Sequence, residues 1–258
     1  VATMWPTVKM LDDIRCIENK KYLVQNYEID FYDFKDPRKV EACQSYSYPF
    51  EYITISKWCK EWLKDEFNKE AKWIYNGIDI KQYQPHKRVF KNKVRILIEG
   101  DSSSPHKNVD EAFLITNKLD SSKYEIWYMS YNAKPKDWYR VDKFLHKVPY
   151  EEVQKVYADC DILLKTSLLE SFSYPPIEMM ATGGYVVALL NDGNKEYLED
   201  GKNCLIYPKG DVEQAVQCIE RIICDSNLQN VLYTNGVKTA RSRDWETIKD
   251  SIIYTYCS

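Results

Sequence analysis

From Lys93 onward the chain alternates short β-branched runs with segments of helical spacing. Val94 to Glu99 predicts a strand closed by Gly100, and Asn108 to Leu119 places Val109, Ala112, Phe113, Ile115, Thr116 and Leu119 at helical positions. Tyr124 to Met129 predicts the next strand. A helix over 150–158 sets Val153, Val156 and Tyr157 on one face, and Asp161 to Leu164 returns as a buried strand. Pro175 and Pro176 open a further helix, since proline fits a first turn, and Gly183-Gly184 ends it. Tyr185 to Leu190 and Leu205 to Tyr207 are the last strands, followed by helices around 211–224, 227–240 and 245–256. Such alternation predicts a parallel sheet covered on both faces, a doubly wound α/β domain.

Residues 1–90 offer less. Strand-like pieces occur at Tyr22 to Gln25, Tyr52 to Ile55 and Trp73 to Tyr75, with one clear helix from Lys57 to Phe67 capped by Ser56. This is the content of half a doubly wound domain, and Gln84-Pro85-His86 reads as a linker.

Composition narrows the function classes. The 258 residues are 44% hydrophobic and 29% charged, which is globular composition. The 36 basic and 39 acidic residues give a net charge of −3, which argues against a nucleic-acid-coating protein. No apolar run approaches the ~18 residues of a membrane span, and no signal-peptide pattern opens the chain. The eight cysteines form no C-x-x-C pair and read as reduced core residues of a cytoplasmic protein. The chain begins at Val1 rather than Met, which reads as a truncation.

The strongest chemical constellation is Glu170-Ser-Phe-Ser-Tyr-Pro-Pro-Ile-Glu178. It puts one carboxylate in the loop after a strand and another inside the first turns of the following helix. That is the carboxyl end of the sheet, where α/β domains bind ligands. On spacing alone, a loop glutamate and a solvated helix glutamate remain the simpler reading.

The surrounding residues change that. The stretch Asp161 to Val187 strongly resembles the E-x7-E segment of retaining glycosyltransferases of family four, which have the GT-B fold. Asn76-Gly-Ile-Asp79, Gly100 to Lys107, Val153 to Asp161, Glu196 to Leu205 and Arg243-Asp-Trp245 fall where that family places similar pieces, so the resemblance covers 73–256. Ala2 to Trp5 and Tyr22 to Glu28 look like its rhamnosyltransferase-like branch, which builds bacterial surface polysaccharides.

The resemblance implies a Rossmann-like nucleotide-sugar-binding domain over 89–243 and a partial N-terminal, acceptor-side domain with linker over 1–88. A helix over 244–258 would cross back to the latter. It implies transfer of a hexosyl group from a nucleoside diphosphate sugar to a saccharide or lipid-linked saccharide acceptor, with retention and no metal or other cofactor. Peripheral contact with the inner face of the plasma membrane fits such a role. Carried over by position, Glu178 binds the donor ribose, Glu170 lies at the donor sugar, and the backbone of Ser171, Phe172 and Ser173 holds sugar or phosphate oxygens. Lys107 matches the lysine that neutralises the diphosphate, and Val148 falls at the base pocket. The family commonly has Gly-Arg where this chain has Gly100-Asp101, so a second phosphate cation would have to come from elsewhere, with Lys165 nearest in sequence. This departure keeps a non-catalytic nucleotide-sugar-binding module as an alternative, and a sugar-nucleotide epimerase as a weaker third.

Other signals are structural on their face. Asp159-Cys-Asp161 spells D-x-D, but lies at a helix end entering a buried strand. Gly100 to Lys107 lacks the second glycine and the Ser/Thr of a Walker loop. His86, His106 and His146 have no metal-ligand spacing. The N-terminal tyrosines read as packing residues.

Overall fold

A computed structural model describes residues 1–90 and 93–257. The chain forms two compact units. The first comprises Val1–Gly77, Glu170–Phe172 and the C-terminal helix from Glu246 on; the second comprises Ile78–Leu169 and Ser173–Trp245.

In the first unit, β1 (Lys21–Val24), β2 (Glu51–Thr54) and β3 (Ala71–Trp73) form a parallel sheet in that order. Its helices are α1 (Trp5–Asp12), α2 (Pro37–Ser45) and α3 (Lys57–Phe67). Helix α3 starts as the sequence predicts: the Ser56 hydroxyl accepts the Cys59 N–H at 3.1 Å, and Asn68 ends the helix in the left-handed conformation. Helices α1 and α2 are additions to the sequence reading. The tyrosines pack the core as expected: Tyr22, Tyr46 and Tyr52 are buried, and the Tyr22 and Tyr46 rings stack at 5.8 Å.

In the second unit, strands β4 (Val94–Glu99), β5 (Tyr124–Ser130), β6 (Lys143–His146), β7 (Ile162–Lys165), β8 (Tyr185–Ala188) and β9 (Leu205–Ile206) are all parallel, in the order β6-β5-β4-β7-β8-β9. The helices are α4 (Val109–Thr116), α5 (Tyr150–Asp159), α6 (Tyr174–Ala181), α7 (Val212–Cys224) and α8 (Ser226–Arg241). The order reverses between β4 and β7, whose register pairs Ile96 with Ile162 and Ile98 with Leu164. Ile162 through Lys165 and Tyr185 through Ala188 are buried without a break, as strands covered on both faces must be. The final helix is α9 (Trp245–Cys257).

Three sequence readings are amended. Strand β6 was not anticipated. Gln84-Pro85-His86, expected as a linker, lies in the second unit. Of the eight cysteines, all free, only Cys59, Cys160 and Cys204 are buried, whereas Cys16, Cys43, Cys224 and Cys257 are exposed, so the set is not a core set. No helix among the described residues is long and apolar enough to cross a membrane.

One buried side chain organises the second unit. Arg88, 7% exposed, donates from Nε to Cys160 O at 2.9 Å, from Nη2 to Tyr157 O at 2.9 Å, and from Nη1 to Thr182 O at 3.0 Å. These carbonyls lie at the carboxyl ends of α5 and α6, where helices leave acceptors unsatisfied and carry partial negative charge. Just beyond, Gly183 (φ +80°) takes the left-handed turn that ends α6, and a Cβ there would sit 2.6 Å from His86 O. Arg88→Met should therefore cost about 3–5 kcal/mol, the scale for breaking a buried polar network. Arg88→Lys should recover only part of it, since one ammonium cannot reproduce the fork. Urea denaturation checks both; a loss under ~1 kcal/mol, within the range of an ordinary surface change, would contradict the role.

Candidate active site at the strand-order reversal

The carboxyl ends of β4 and β7 lie side by side at the reversal and end in opposite charges. Lys165 Nζ is 2.5 Å from Glu99 Oε2, and Lys165 is 1% exposed. Beside this pair is a cavity of about 300 Å³. Glu99, Met129, Tyr131, Val148, Tyr150 and Glu178 contribute to its wall. An open α/β sheet binds ligands at this place because the strands diverge there.

Helix α6 brings Glu178 to the cavity. Pro175 and Pro176 occupy its first turn, where their missing N–H groups cost no hydrogen bond. Glu178 Oε1 accepts the Tyr83 hydroxyl at 2.9 Å, and Tyr157 lines the same cavity. Burial pushes the Glu178 carboxyl above the ordinary carboxylate range. Tyr83, Tyr157 and Lys165 counteract this, while the Glu99 charge adds to it. Tyr157 is fully buried on α5, and burial together with the Glu178 charge holds its hydroxyl protonated far above neutral pH.

Lys107 lies on the loop between β4 and α4. Gly100 begins that loop at φ +146°, and a Cβ there would approach Val109 Cγ2 to 3.1 Å and Lys107 Cβ to 3.5 Å. The Asp101 carboxylate accepts Ser103 N–H at 3.0 Å and Ser103 O–H at 2.7 Å, so it shapes the turn. Although partial burial opposes it, the two Ser103 bonds and the nearby Asn132 and Ala133 hold the Asp101 pKa below its usual value. Lys107 closes a 3-10 turn, Pro105–Lys107, and is half-exposed. Thr166 Oγ1 donates to Asn108 O at 2.9 Å and Leu168 N to His106 O at 2.8 Å, fastening this loop to the one after β7.

The second unit thus carries Gly100, Asp101, Lys107, Val148, Lys165, Ser173 and Glu178, of which Val148 and Glu178 line the cavity. Lys165, expected as a second phosphate cation, has its ammonium buried and balanced by Glu99. Ser173 is 1% exposed, with its carbonyl accepting the Tyr197 hydroxyl at 2.5 Å. Glu170, Ser171 and Phe172 group with the first unit, where Ser171 and Phe172 are buried. Sequence reasoning missed Glu99, Tyr83, Tyr131, Tyr150 and Tyr157. Glu99 alone had a usable signal, as the last strand residue before Gly100. Asp161 of the D-x-D triplet accepts the Arg95 N–H at 2.8 Å, a structural bond. No group of three His, Cys, Asp or Glu suited to a metal occurs among the described residues.

Residues 141–239 match the family described as "Glycosyl transferases group 1". The matched stretch contains β6, α5, β7, α6 and Glu178. Two curated relatives are similar over longer stretches. The O-antigen biosynthesis protein RfbC of Myxococcus xanthus is 25% identical over 243 residues, 90% of this chain and 18% of that protein. The O-antigen chain mannosyltransferase RfbU of Salmonella typhimurium is 27% identical over 148 residues, 52% of this chain and 40% of that protein. The chain spans less than half the length of either. Among solved structures, sucrose-phosphate synthase of Thermosynechococcus elongatus superposes with a TM-score of 0.80 at 15% identity, covering 98% of this chain and 71% of that one. HepE of Anabaena in complex with UDP-glucose gives 0.79 at 19% identity, covering 98% and 77%. The fold is GT-B, as the resemblance centred on Asp161 to Val187 led one to expect.

The Glu178 environment has a consequence for stability. A carboxyl whose folded pKa is raised contributes stability that is present below its unfolded pKa and lost as pH rises through the folded value. Glu178→Gln removes that titration while keeping an acceptor for Tyr83. The melting temperature of Glu178→Gln relative to the parent should therefore be higher at pH 7.5 than at pH 4.5. An identical difference at both pH values would refute the burial-raised carboxyl.

Proposed function

We propose that this chain is the donor-binding part of a glycosyltransferase that moves a hexosyl group from a nucleoside diphosphate sugar to an acceptor hydroxyl, with retention and without a metal. Bacterial surface polysaccharide synthesis is the setting we infer, with a saccharide or lipid-linked saccharide as acceptor. The observation that carries the reading is Glu178. It is a carboxylate on the cavity at the strand-order reversal, positioned by Tyr83 and lying within the segment that matches the family. Two O-antigen proteins among the relatives favour the polysaccharide setting.

In this reading Glu178 accepts the ribose hydroxyls of the donor. The base lies toward Val148, with the exposed rings of Tyr131 and Tyr150 beside it. The diphosphate meets Lys107, Glu170 lies at the sugar, and the backbone of Ser171 to Ser173 supplies donors to sugar or phosphate oxygens. The acceptor oxygen attacks the anomeric carbon on the face the diphosphate leaves, the carbon–oxygen bond to phosphate breaks, and a phosphate oxygen takes the acceptor proton. Charge on the departing diphosphate grows only as that bond breaks, so a cation there accelerates the step itself. A second reading, a binding module without transfer, is favoured by one observation: Asp101, where the family commonly has an arginine, is a turn-forming carboxylate. Donor hydrolysis in the absence of acceptor separates the two, since a module would bind donor without consuming it.

HepE was solved with UDP, UDP-glucose, and UDP plus glucose, so UDP-sugars come first in a thermal-shift panel that also holds GDP- and dTDP-sugars. Against the donor that binds, Glu178→Ala should lose about 1.5–3 kcal/mol, roughly 10- to 150-fold in affinity, as charge-assisted bonds to hydroxyls are removed. Calorimetry showing unchanged affinity in a folded variant would sink the assignment. In the intact enzyme Lys107→Ala should lower kcat by about 10- to 1000-fold, the scale for losing one group that stabilises a developing anion. Lys107→Arg should recover part of that, and activity should survive excess EDTA. An unimpaired Lys107→Ala enzyme, or activity lost to EDTA and restored by Mn²⁺, would overturn the respective claim.

A further inference from the structure

The Glu99–Lys165 pair is the least expected feature of the site. The cavity presents two carboxylates, Glu99 and Glu178, on one wall system. A nucleoside diphosphate is itself an anion, and such a wall should repel it. Lys165, 1% exposed, lies against Glu99 with its Nζ 2.5 Å from Oε2. It cannot reach solvent to meet a phosphate, yet its charge acts across the cavity. Charges in a partly desolvated site interact several times more strongly than in water, because little solvent lies between them to screen.

We propose that Lys165 is a positioning residue for the donor: its buried ammonium cancels the Glu99 charge, so that Glu178 alone faces the incoming nucleotide as an anion. The inference rests on the donor site proposed above. It assigns Lys165 a different role from a phosphate clamp, since the lysine acts through Glu99 and makes no contact with the ligand. Glu178 already sits in a balance of this kind, with Glu99 and Lys165 pushing its ionisation in opposite directions.

The test is a charge cycle read by calorimetry with UDP, GDP and dTDP as probes, on the full chain. Lys165→Met, close in volume, should bind the preferred nucleotide at least about 10-fold more weakly at pH 7.5, one unit on the pKa scale being tenfold. The double variant Glu99→Gln/Lys165→Met restores neutrality and should return to within about threefold of the parent, as coupled neighbours do in such cycles. A purely structural lysine would not give the rescue. Lys165→Met binding like the parent, or a double variant as weak as the single, would overturn the proposal. Should Lys165→Met fail to fold, Glu99→Gln alone decides: it takes the Glu99, Lys165 and Glu178 set from a net charge of −1 to zero and should bind at least as tightly as the parent, so a tenfold loss there would refute the role. A parent chain that binds none of the three nucleotides would refute the donor site itself, and this role with it.

Discussion

The second unit depends on a guanidinium laid across the ends of two helices. Arg88 satisfies carbonyls that α5 and α6 cannot satisfy within themselves, at Tyr157, Cys160 and Thr182. Burying a charge is costly, and here the compensation comes from helix ends that are themselves negative. The consequence reaches the cavity. Helix α5 carries Tyr157, α6 carries Glu178, and the chain leading into Arg88 carries Tyr83. The clamp therefore holds the helices that carry Tyr157 and Glu178, both of which line the cavity.

How much of this was legible in the sequence differs by element for physical reasons. The strands β4, β7 and β8 announce themselves through apolar runs buried on both faces, Ile96 to Ile98, Ile162 to Leu164 and Tyr185 to Ala188. Glu178 was legible through its surroundings and not through its spacing. Helix α2 buries only Ala42 and Ser45, so it has no apolar stripe to read. Helix α1 buries only Val8. Strand β6 lies at the sheet edge and none of its four residues is fully buried, which leaves no alternation. The partnership of Tyr83 with Glu178 spans 95 positions and exists only once the fold does. Arg88 read as the end of a linker because nothing in the sequence marks which carbonyls it will meet.

The proposed site is supported in two different ways. The nucleoside side stands on helices held by Arg88, whereas the phosphate side stands on a loop. That loop is made rigid by other means: a glycine at φ +146° where a Cβ would crowd Val109, a carboxylate folded back onto Ser103, and bonds from Thr166 and Leu168. A loop so fastened can present a lysine with little ordering left to do on binding, which is what a group acting on a transition state requires.

The electrostatics of the cavity follow from the same economy of cations. With Asp101 occupying a position where an arginine would supply charge, the described residues bring Lys107 to the loop and Lys165 to the interior. A buried ammonium beside a cavity carboxylate is worth keeping only if the carboxylate must stay where it is, because an apolar pair would be easier to bury. Glu99 ends the central strand at the point where the strand order reverses, so its backbone position is dictated by β4 and its side chain necessarily opens toward the ligand space. Placing a counter-charge at the end of the adjacent strand, β7, resolves the conflict inside the sheet itself. The strand-order reversal that creates the cavity thereby also supplies the neighbour that makes the cavity tolerable to an anion.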